Sequence, residues 1–241
     1  MLKKSVHTYS NDRNEIFEGF VAYDDRWSGK RPVVIIAHAF GGLSSFEEDR
    51  AVALAHLGYL GFAIDLYGKG RRASSSAEAV QLMNELDHHR DLLLERVQLG
   101  LREAARLQNA NSEKIGAIGY CFGGKCVLDL ARSGARLSGV VSFHGVYDAP
   151  EKKAATTVAC PVLILHGWDD PLSPPAAVST LAAELSESGV SWELVAYGNT
   201  GHGFTNPSAN QPKAGIDYQK ESAEKAWERM TCFWQHQFSG K

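Results

Sequence analysis

The stretch Ile115–Ala131, IGAIGYCFGGKCVLDLA, places a thiol between two glycines where a strand pattern gives way to a helix pattern. An apolar run leads into Gly119, and a run with helical spacing follows Gly123. Gly-x-Cys-x-Gly at such a junction has the layout of a nucleophile elbow, a strained turn whose glycines let the adjoining backbone pack closely. We therefore expect Cys121 at the first turn of a helix, where the partial positive charge of the helix favours a nucleophilic thiolate.

Two other structures could account for the same glycines. One is a plain strand-to-helix turn with a buried and inert cysteine. The other is a dinucleotide-binding turn, which requires GxGxxG at the start of the helix and an acidic residue about 20 positions later. Because GYCFGG does not supply that pattern, the nucleotide site is the weaker alternative.

Strand-like and helix-like segments alternate along the rest of the chain. Besides an alternating segment near Glu15 to Tyr23, buried strands are predicted by the apolar runs in RPVVIIAHAFGG and YLGFAIDLYGKG. Further strands are predicted at KIGAIGY, LSGVVSFHG, CPVLILHG and SWELVAYG. Helices are predicted at FEEDRAVALAHLGYLG with a stop at Gly58, from about Ala77 to Leu107 with a break near Asp87, and at FGGKCVLDLAR, PPAAVSTLAAELSESG and DYQKESAEKAWERMTCFWQHQF. We expect residues 1–241 to form one α/β domain of the α/β-hydrolase type, with a mostly parallel central sheet and helices on both faces.

The composition is that of an ordinary globular protein. The chain has 241 residues, 44% hydrophobic content and a formal net charge of −3. We expect neither a nucleic acid nor a membrane as a partner, because no apolar run approaches the roughly 20 residues of a membrane helix and the charges are interspersed. The polar N-terminus lacks a signal-peptide core, and the four cysteines form no CxxC pair, which predicts a cytoplasmic protein with free thiols.

A thiol nucleophile needs a base, and the base needs a carboxylate that orients it. His202 lies in the glycine-flanked loop YGNTGHGF, and Asp170 lies in HGWDDP after the preceding predicted strand. The order Cys121, Asp170, His202 is the nucleophile–acid–histidine order of α/β-hydrolases. Asp169 and Asp148 stay open as alternative acids, since both also follow predicted strands.

Three further histidines lie at predicted strand ends, namely His38, His144 and His166. We expect them to be structural, because His202 comes last and lies in a glycine-lined loop that can reach the elbow. His166 is expected to brace the acid loop through its ring nitrogens.

Acyl transfer also needs hydrogen-bond donors for the oxyanion. Phe122, the residue after the nucleophile, is expected to supply one backbone N–H. The loop HAFGGLSS is expected to supply the second from Ala39 or Phe40, with Gly41 and Gly42 letting that backbone approach the site.

The motifs GYCFGG, HGWDDP, GHGF and DLYGKG together resemble those of the dienelactone hydrolase family of α/β-hydrolases. The resemblance extends from about Phe20 to the C-terminal helix. It implies a cytoplasmic hydrolase without a cofactor or metal that cleaves lactones or small esters through Cys121, Asp170 and His202. We accordingly expect a small-molecule ester or lactone as the substrate and a thioester intermediate, while monomer and dimer both stay open.

Two positions depart from the pattern of that family. Its studied members carry a glutamate directly after the position of His38, where this chain has Ala39. They also carry an arginine four residues after the catalytic histidine, where this chain has Asn206. An amide cannot replace a bidentate guanidinium–carboxylate pair, so a carboxylated lactone is the less favoured substrate.

Side chains that could contact the substrate follow from the same motifs. Trp168 precedes the acid, Phe204 follows the histidine, and Asn206 occupies the position of the missing arginine. The aromatic rings, including that of Phe40, could equally pack the loops. Cations that could compensate for that arginine are Arg71, Arg72 and Arg90.

Two other classes of function stay open. A redox or thiol-sensing protein could pair Cys121 with Cys126, although a five-residue spacing on a helix points the two thiols in different directions. A binding protein could retain the fold without activity. The presence of all three triad residue types in the right order argues against that second class.

Overall fold

The computed structural model describes residues 1–150 and 158–239, and the chain divides into two compact units, Met1–Ile118 and Gly119–Lys241. The boundary between the units lies inside a strand, β5 (Ala110–Tyr120). All three residues of the predicted triad belong to the second unit.

The first unit contains four strands before β5 and three helices. Strand β1 pairs antiparallel with β2, β2 pairs antiparallel with β4, and β4 pairs parallel with β3. The elements are β1 (Leu2–Ser10), β2 (Ile16–Asp24), β3 (Arg31–Ala37), α1 (Ser45–His56), β4 (Leu60–Ile64), α2 (Ser76–Asp87) and α3 (Arg90–Arg106).

Local sequence explains where these helices begin and end. Ser44 and Glu47 form a capping box at the start of α1, so the first N–H groups of that helix are satisfied. Gly58 follows the end of α1 with a φ of +91°, a backbone conformation that favours glycine, which confirms the predicted stop. The predicted break after Asp87 separates α2 from α3.

The second unit contains the remaining strands and helices. Strands β6, β7 and β8 pair parallel in that order, and the short β9 and β10 form an antiparallel pair. The elements are α4 (Phe122–Arg132), β6 (Gly139–Phe143), β7 (Val162–Gly167), α5 (Pro175–Ser188), β8 (Trp192–Tyr197), β9 (Asn210–Gln211), a 3₁₀ turn (Pro212–Ala214), β10 (Ile216–Asp217) and α6 (Lys220–Phe238).

The predicted alternation of strands and helices is confirmed, and three short or polar strands were missed. Strand β1 was not predicted because its sequence, LKKSVHTYS, is mostly polar and only Tyr9 of it is buried. Strands β9 and β10 have two residues each, too few for a periodic pattern. Among the described residues, no helix combines the length and the apolar character needed to cross a membrane.

Candidate active site

Cys121 lies between β5 and α4 in a strained backbone conformation. Its φ of +55° and ψ of −116° are unusual for a residue with a side chain. Its backbone N–H donates to the carbonyl of Phe143 at the end of β6, 3.1 Å away, and the residue is partly exposed. The turn therefore presents the thiol at the N-terminus of α4, as the elbow pattern predicts.

Glycines make this turn possible. A side chain at Gly119 would overlap the carbonyl of Gly123 on the first turn of α4. A Cβ at Gly124 would lie 2.6 Å from Oγ of Ser142 and 2.8 Å from the Cα of Gly145. The packing role of Gly119 was predicted, whereas that of Gly124 depends on a contact with the end of β6 that the motif alone does not reveal.

Asp170 is the carboxylate that meets the histidine. Its Oδ2 accepts a hydrogen bond from Nδ1 of His202 at 2.7 Å, and its Oδ1 accepts one from the backbone N–H of Leu172 at 2.8 Å. The alternative acids lie elsewhere, because Asp169 is exposed and Asp148 is paired with Lys125 at 2.9 Å. Of the three candidate acids, Asp170 is the one that the structure joins to His202.

The backbone of His202 is fixed by β10. Its N–H donates to the carbonyl of Gly215 at 2.8 Å, and its carbonyl accepts from the N–H of Asp217 at 3.1 Å. A side chain at Gly201 would overlap the carbonyl of Gly215. The glycine before the histidine thus lets the loop approach β10 closely enough to form these bonds.

Cys121 and Asp170 determine the protonation of His202. Burial alone would lower the pKa of the imidazole, but the charge of Cys121 and the hydrogen bond to Asp170 outweigh it and raise the pKa to about 10. Nε2 of the ring is buried and has no partner in regular hydrogen-bond geometry among the described residues. Cys121 nevertheless helps to raise the pKa of His202, both through its charge and through a hydrogen bond to the imidazole.

His144 and His166 flank this arrangement, and both are buried. The His144 ring meets the His202 ring edge to face, with centroids 5.1 Å apart, and its Nε2 lies 2.8 Å from Oγ1 of Thr205. Nδ1 of His166 lies 3.1 Å from the hydroxyl of Tyr147. Nδ1 thus contacts the segment after β6, whereas the ring itself meets Trp168 of the acid loop edge to face, with centroids 6.4 Å apart.

His38, in the first unit, is structural as expected. Its Nε2 accepts from the backbone N–H of Leu66 at 3.2 Å, and its Nδ1–H donates to the carbonyl of Ala39 at 2.7 Å. Burial lowers the pKa of His38 to about 4. The neutral ring therefore holds the start of the loop after β3.

The candidate oxyanion donors differ in their availability. Phe122 is the first residue of α4, the position from which an elbow of this type donates its N–H. In the first unit, the N–H of Ala39 donates to Oε1 of the buried Glu47 at 3.2 Å. Ala39 is thus committed to another acceptor, which leaves Phe40 as the second predicted donor.

The four predicted substrate contacts also differ. Trp168 is 44% exposed, whereas Phe204 is fully buried against the rings of His144 and Tyr197. The prediction that Phe204 contacts substrate is therefore wrong, because its ring has no accessible surface. Oδ1 of Asn206 accepts from the N–H of Ser208 at 2.9 Å and so stabilises a turn.

The cations proposed to replace the missing arginine have acidic partners in the first unit. Arg90, the first residue of α3, lies 3.7 Å from Asp87. Arg71 contacts Glu85 at 2.7 Å, and Arg72 contacts the buried Asp65 at 3.1 Å. Each guanidinium already has a carboxylate, which weakens the case for a carboxylate-binding role.

The cysteines and the metal-binding residue types bear on the other classes of function. All four cysteines are reduced thiols, and Cys126 is fully buried on α4, out of reach of an oxidant. Within residues 1–150 and 158–239, no group of three or more histidine, cysteine or acidic side chains is arranged to hold a metal ion.

Comparisons with known proteins agree on one family. The model of the dienelactone hydrolase family matches residues 17–238. A Yersinia pestis protein named "Putative carboxymethylenebutenolidase" is 26% identical over 229 residues, which cover 90% of this chain and 83% of that protein.

Two solved structures resemble nearly the whole chain. The structure named "m3DLH" has 30% identity and a TM-score of 0.92, covering 98% of this chain and 99% of its own. A dienelactone hydrolase-like promiscuous phosphotriesterase from metagenomic libraries has 28% identity and the same TM-score of 0.92, covering 98% of both chains. These likenesses, with the alternating strands and helices, confirm the predicted fold class.

Proposed function

The chain belongs to the dienelactone hydrolase family, a family of lactone and ester hydrolases, and we propose that it cleaves its substrate through Cys121, His202 and Asp170. The observation that supports this proposal is the position of His202. Its Nδ1 is bound to a buried carboxylate, and its ring interacts electrostatically with the partly exposed thiol of Cys121. These contacts support the proposed roles of nucleophile, base and orienting acid.

The first half of the proposed reaction forms a thioester. The Cys121 thiolate attacks the acyl carbon, and the carbonyl electrons move onto oxygen, where the N–H group of Phe122 would stabilise the charge. When the tetrahedral intermediate collapses, the carbon–oxygen bond to the leaving group breaks. The departing oxygen takes the proton of the His202 imidazolium and leaves as an alcohol, or as the new hydroxyl of an opened lactone.

The second half hydrolyses the thioester. Neutral His202 removes a proton from water, and the resulting hydroxide attacks the thioester carbon. Collapse of this second intermediate restores the Cys121 thiolate and releases the carboxylic acid, which ionises in solvent. Asp170 keeps the proton on Nδ1 throughout, so that Nε2 remains the atom that exchanges protons. A reducing compartment such as the cytoplasm would keep this nucleophile in its thiol form.

The relative named for butenolide cleavage suggests a five-membered unsaturated lactone as the substrate class. Strained or activated acyl groups suit a thiol nucleophile. We propose a preference for neutral members of this class, because Asn206 stabilises a turn and Arg71, Arg72 and Arg90 are paired with acids. A test panel would contain butenolides with and without a carboxylate, p-nitrophenyl esters of several acyl lengths and one phosphotriester.

The decisive experiment replaces the nucleophile. C121A should lower kcat/KM for p-nitrophenyl acetate by at least about 10⁴-fold, because no other thiol can form the acyl-enzyme. C232A is the matched control, since Cys232 is an exposed cysteine on α6 and is not part of the proposed triad, and it should retain parental activity. Quenched parent enzyme should carry one acetyl group on Cys121 by peptide mass spectrometry.

Other outcomes would point to other functions. Parental activity in C121A would show that the nucleophile is misassigned. Loss of thiols during turnover would favour a redox protein, and inactivity of the parent on the whole panel would favour a binding protein. A faster reaction with the carboxylated butenolide than with the neutral one would overturn the preference for neutral substrates alone.

A further inference from the structure

The end of β6 carries a buried histidine that the proposed reaction does not use. His144 follows Phe143 directly and has a φ of +36°, a strained conformation for a residue with a side chain. Its backbone N–H donates to the carbonyl of Leu165 on β7 at 2.8 Å. Strain of this kind persists only where surrounding contacts maintain it, and it is common at functional sites.

The side chain of His144 connects this strand end to the loop that carries His202. Nε2 of His144 lies 2.8 Å from Oγ1 of Thr205, three residues after His202 in the chain. The two imidazole rings also meet edge to face with centroids 5.1 Å apart. One side chain therefore contacts both the loop and the ring of the proposed base.

The charge state of His144 follows from its surroundings. Burial, and then the positive charge of His202 with a smaller effect of His166, lower the pKa of His144 well below its usual value. The ring is therefore neutral and carries one N–H. Nδ1 has no partner among the described residues, so the proton belongs on Nε2, which donates to the hydroxyl of Thr205.

We propose that His144 is a positioning residue for His202, acting through its hydrogen bond to Thr205 and its ring contact with the imidazole. The inference rests on the proposed function of His202 as the base. The neighbouring carbonyl of Phe143 accepts the N–H of Cys121 at 3.1 Å. Phe143, the last residue of β6, thus holds the backbone of Cys121, and the next residue, His144, holds the loop of His202.

Removing the hydroxyl of Thr205 tests the connection. T205V keeps the shape of the side chain but cannot accept the proton of His144. We expect kcat for p-nitrophenyl acetate to fall about 10-fold with KM within two-fold, because the substrate contacts remain while the base loses its orientation. T205S, which retains the hydroxyl, should restore most of the lost activity, and the exposed helix variant T180V should behave as the parent.

A second pair of variants tests the histidine itself. H144Q places an amide donor near the position of Nε2, whereas H144F keeps an aromatic ring without a donor. H144Q should retain several-fold more activity than H144F. Melting temperatures of all variants separate this effect from simple loss of the fold.

Alkylation of Cys121 by iodoacetamide gives a readout that does not depend on substrate turnover. In the parent, Cys121 should react at pH 6 at least about 10-fold faster than the exposed Cys232, because an imidazolium partner favours the thiolate. T205V and H144F should lose most of that advantage, and T205S and H144Q should keep it.

The outcomes separate the two proposals. Equal reactivity of Cys121 and Cys232 in the parent would contradict the proposed pair of Cys121 and His202. If Cys121 reacted faster than Cys232 by the same factor in T205V and H144F as in the parent, the proposed function would stay intact and the role of His144 would be overturned. A loss of kcat no larger than the loss of folded protein would overturn that role as well.

Discussion

His202 experiences three competing effects, and their balance decides what it can do in catalysis. Burial opposes a positive ring, while the interactions with Cys121 and with the carboxylate of Asp170 favour it strongly enough to raise the pKa of His202 to about 10. At neutral pH the ring is therefore protonated before substrate arrives. It can then act first as the acid for the leaving group and only afterwards as the base for water.

Removing either charge should lower the pKa of His202. In C121A the opposing thiolate is lost, and in D170N the carboxylate is lost, so the penalty of burial has more weight in both variants. D148N is the matched control, because Asp148 is bound to Lys125 instead. The ¹³Cε1 chemical shift of His202, followed by NMR from pH 5 to pH 11, measures this change.

Activity should follow the same titration. In the parent, the proton needed by the leaving group is lost as the pH rises through about 10, so kcat/KM should fall on that alkaline side. In D170N this fall should begin at lower pH, and D148N should retain the parental profile. An unchanged pKa of His202 in both C121A and D170N would contradict the assigned pairing.

At the scale of elements, the junction of β5 and α4 depends on the absence of side chains. G119A would bring a methyl group into the backbone of Gly123, which the rigid first turn of α4 cannot avoid. We expect a destabilisation of about 1–3 kcal/mol in the free energy of unfolding, as for other overpacked sites, together with a loss of turnover. Urea denaturation and the p-nitrophenyl acetate assay measure the two effects.

G198A is the control for that substitution. Gly198 follows β8, and a Cβ there would meet nothing within 4 Å, so its free energy of unfolding should change by no more than about 0.5 kcal/mol. If G119A proved as stable and active as G198A, the close approach of β5 to α4 would not matter to the elbow.

Elements also show which features a sequence can predict. Buried strands such as β7 are continuous apolar runs, and the elbow motif depends on local sterics, so both were found. Phe204 was misassigned because a ring beside a catalytic histidine can face either the core or a substrate, and only tertiary packing decides. The contact of His144 with Thr205 joins residues 61 positions apart and has no local pattern that could reveal it.

At the scale of the whole molecule, the division of the chain falls within a continuous strand. Strand β5 runs from Ala110 to Tyr120, while the two units meet between Ile118 and Gly119. Separate unfolding of either unit would have to disrupt one part of this strand while the rest of it stayed folded. We therefore propose that residues 1–241 unfold as one domain, as the sequence predicts.

Urea denaturation with two local probes tests this proposal. Pulsed hydrogen exchange detected by mass spectrometry reports on peptides of β3 and β4 in the first unit and of β6 and β7 in the second. In a C121A/C232A background, the buried thiols of Cys126 and Cys160 report independently on the second unit through labelling by a maleimide. We expect one midpoint for all probes, because an all-or-none transition makes them coincide. Protected β3 and β4 peptides at a urea concentration that labels both thiols would instead establish two domains, with the proposed triad carried by the less stable one.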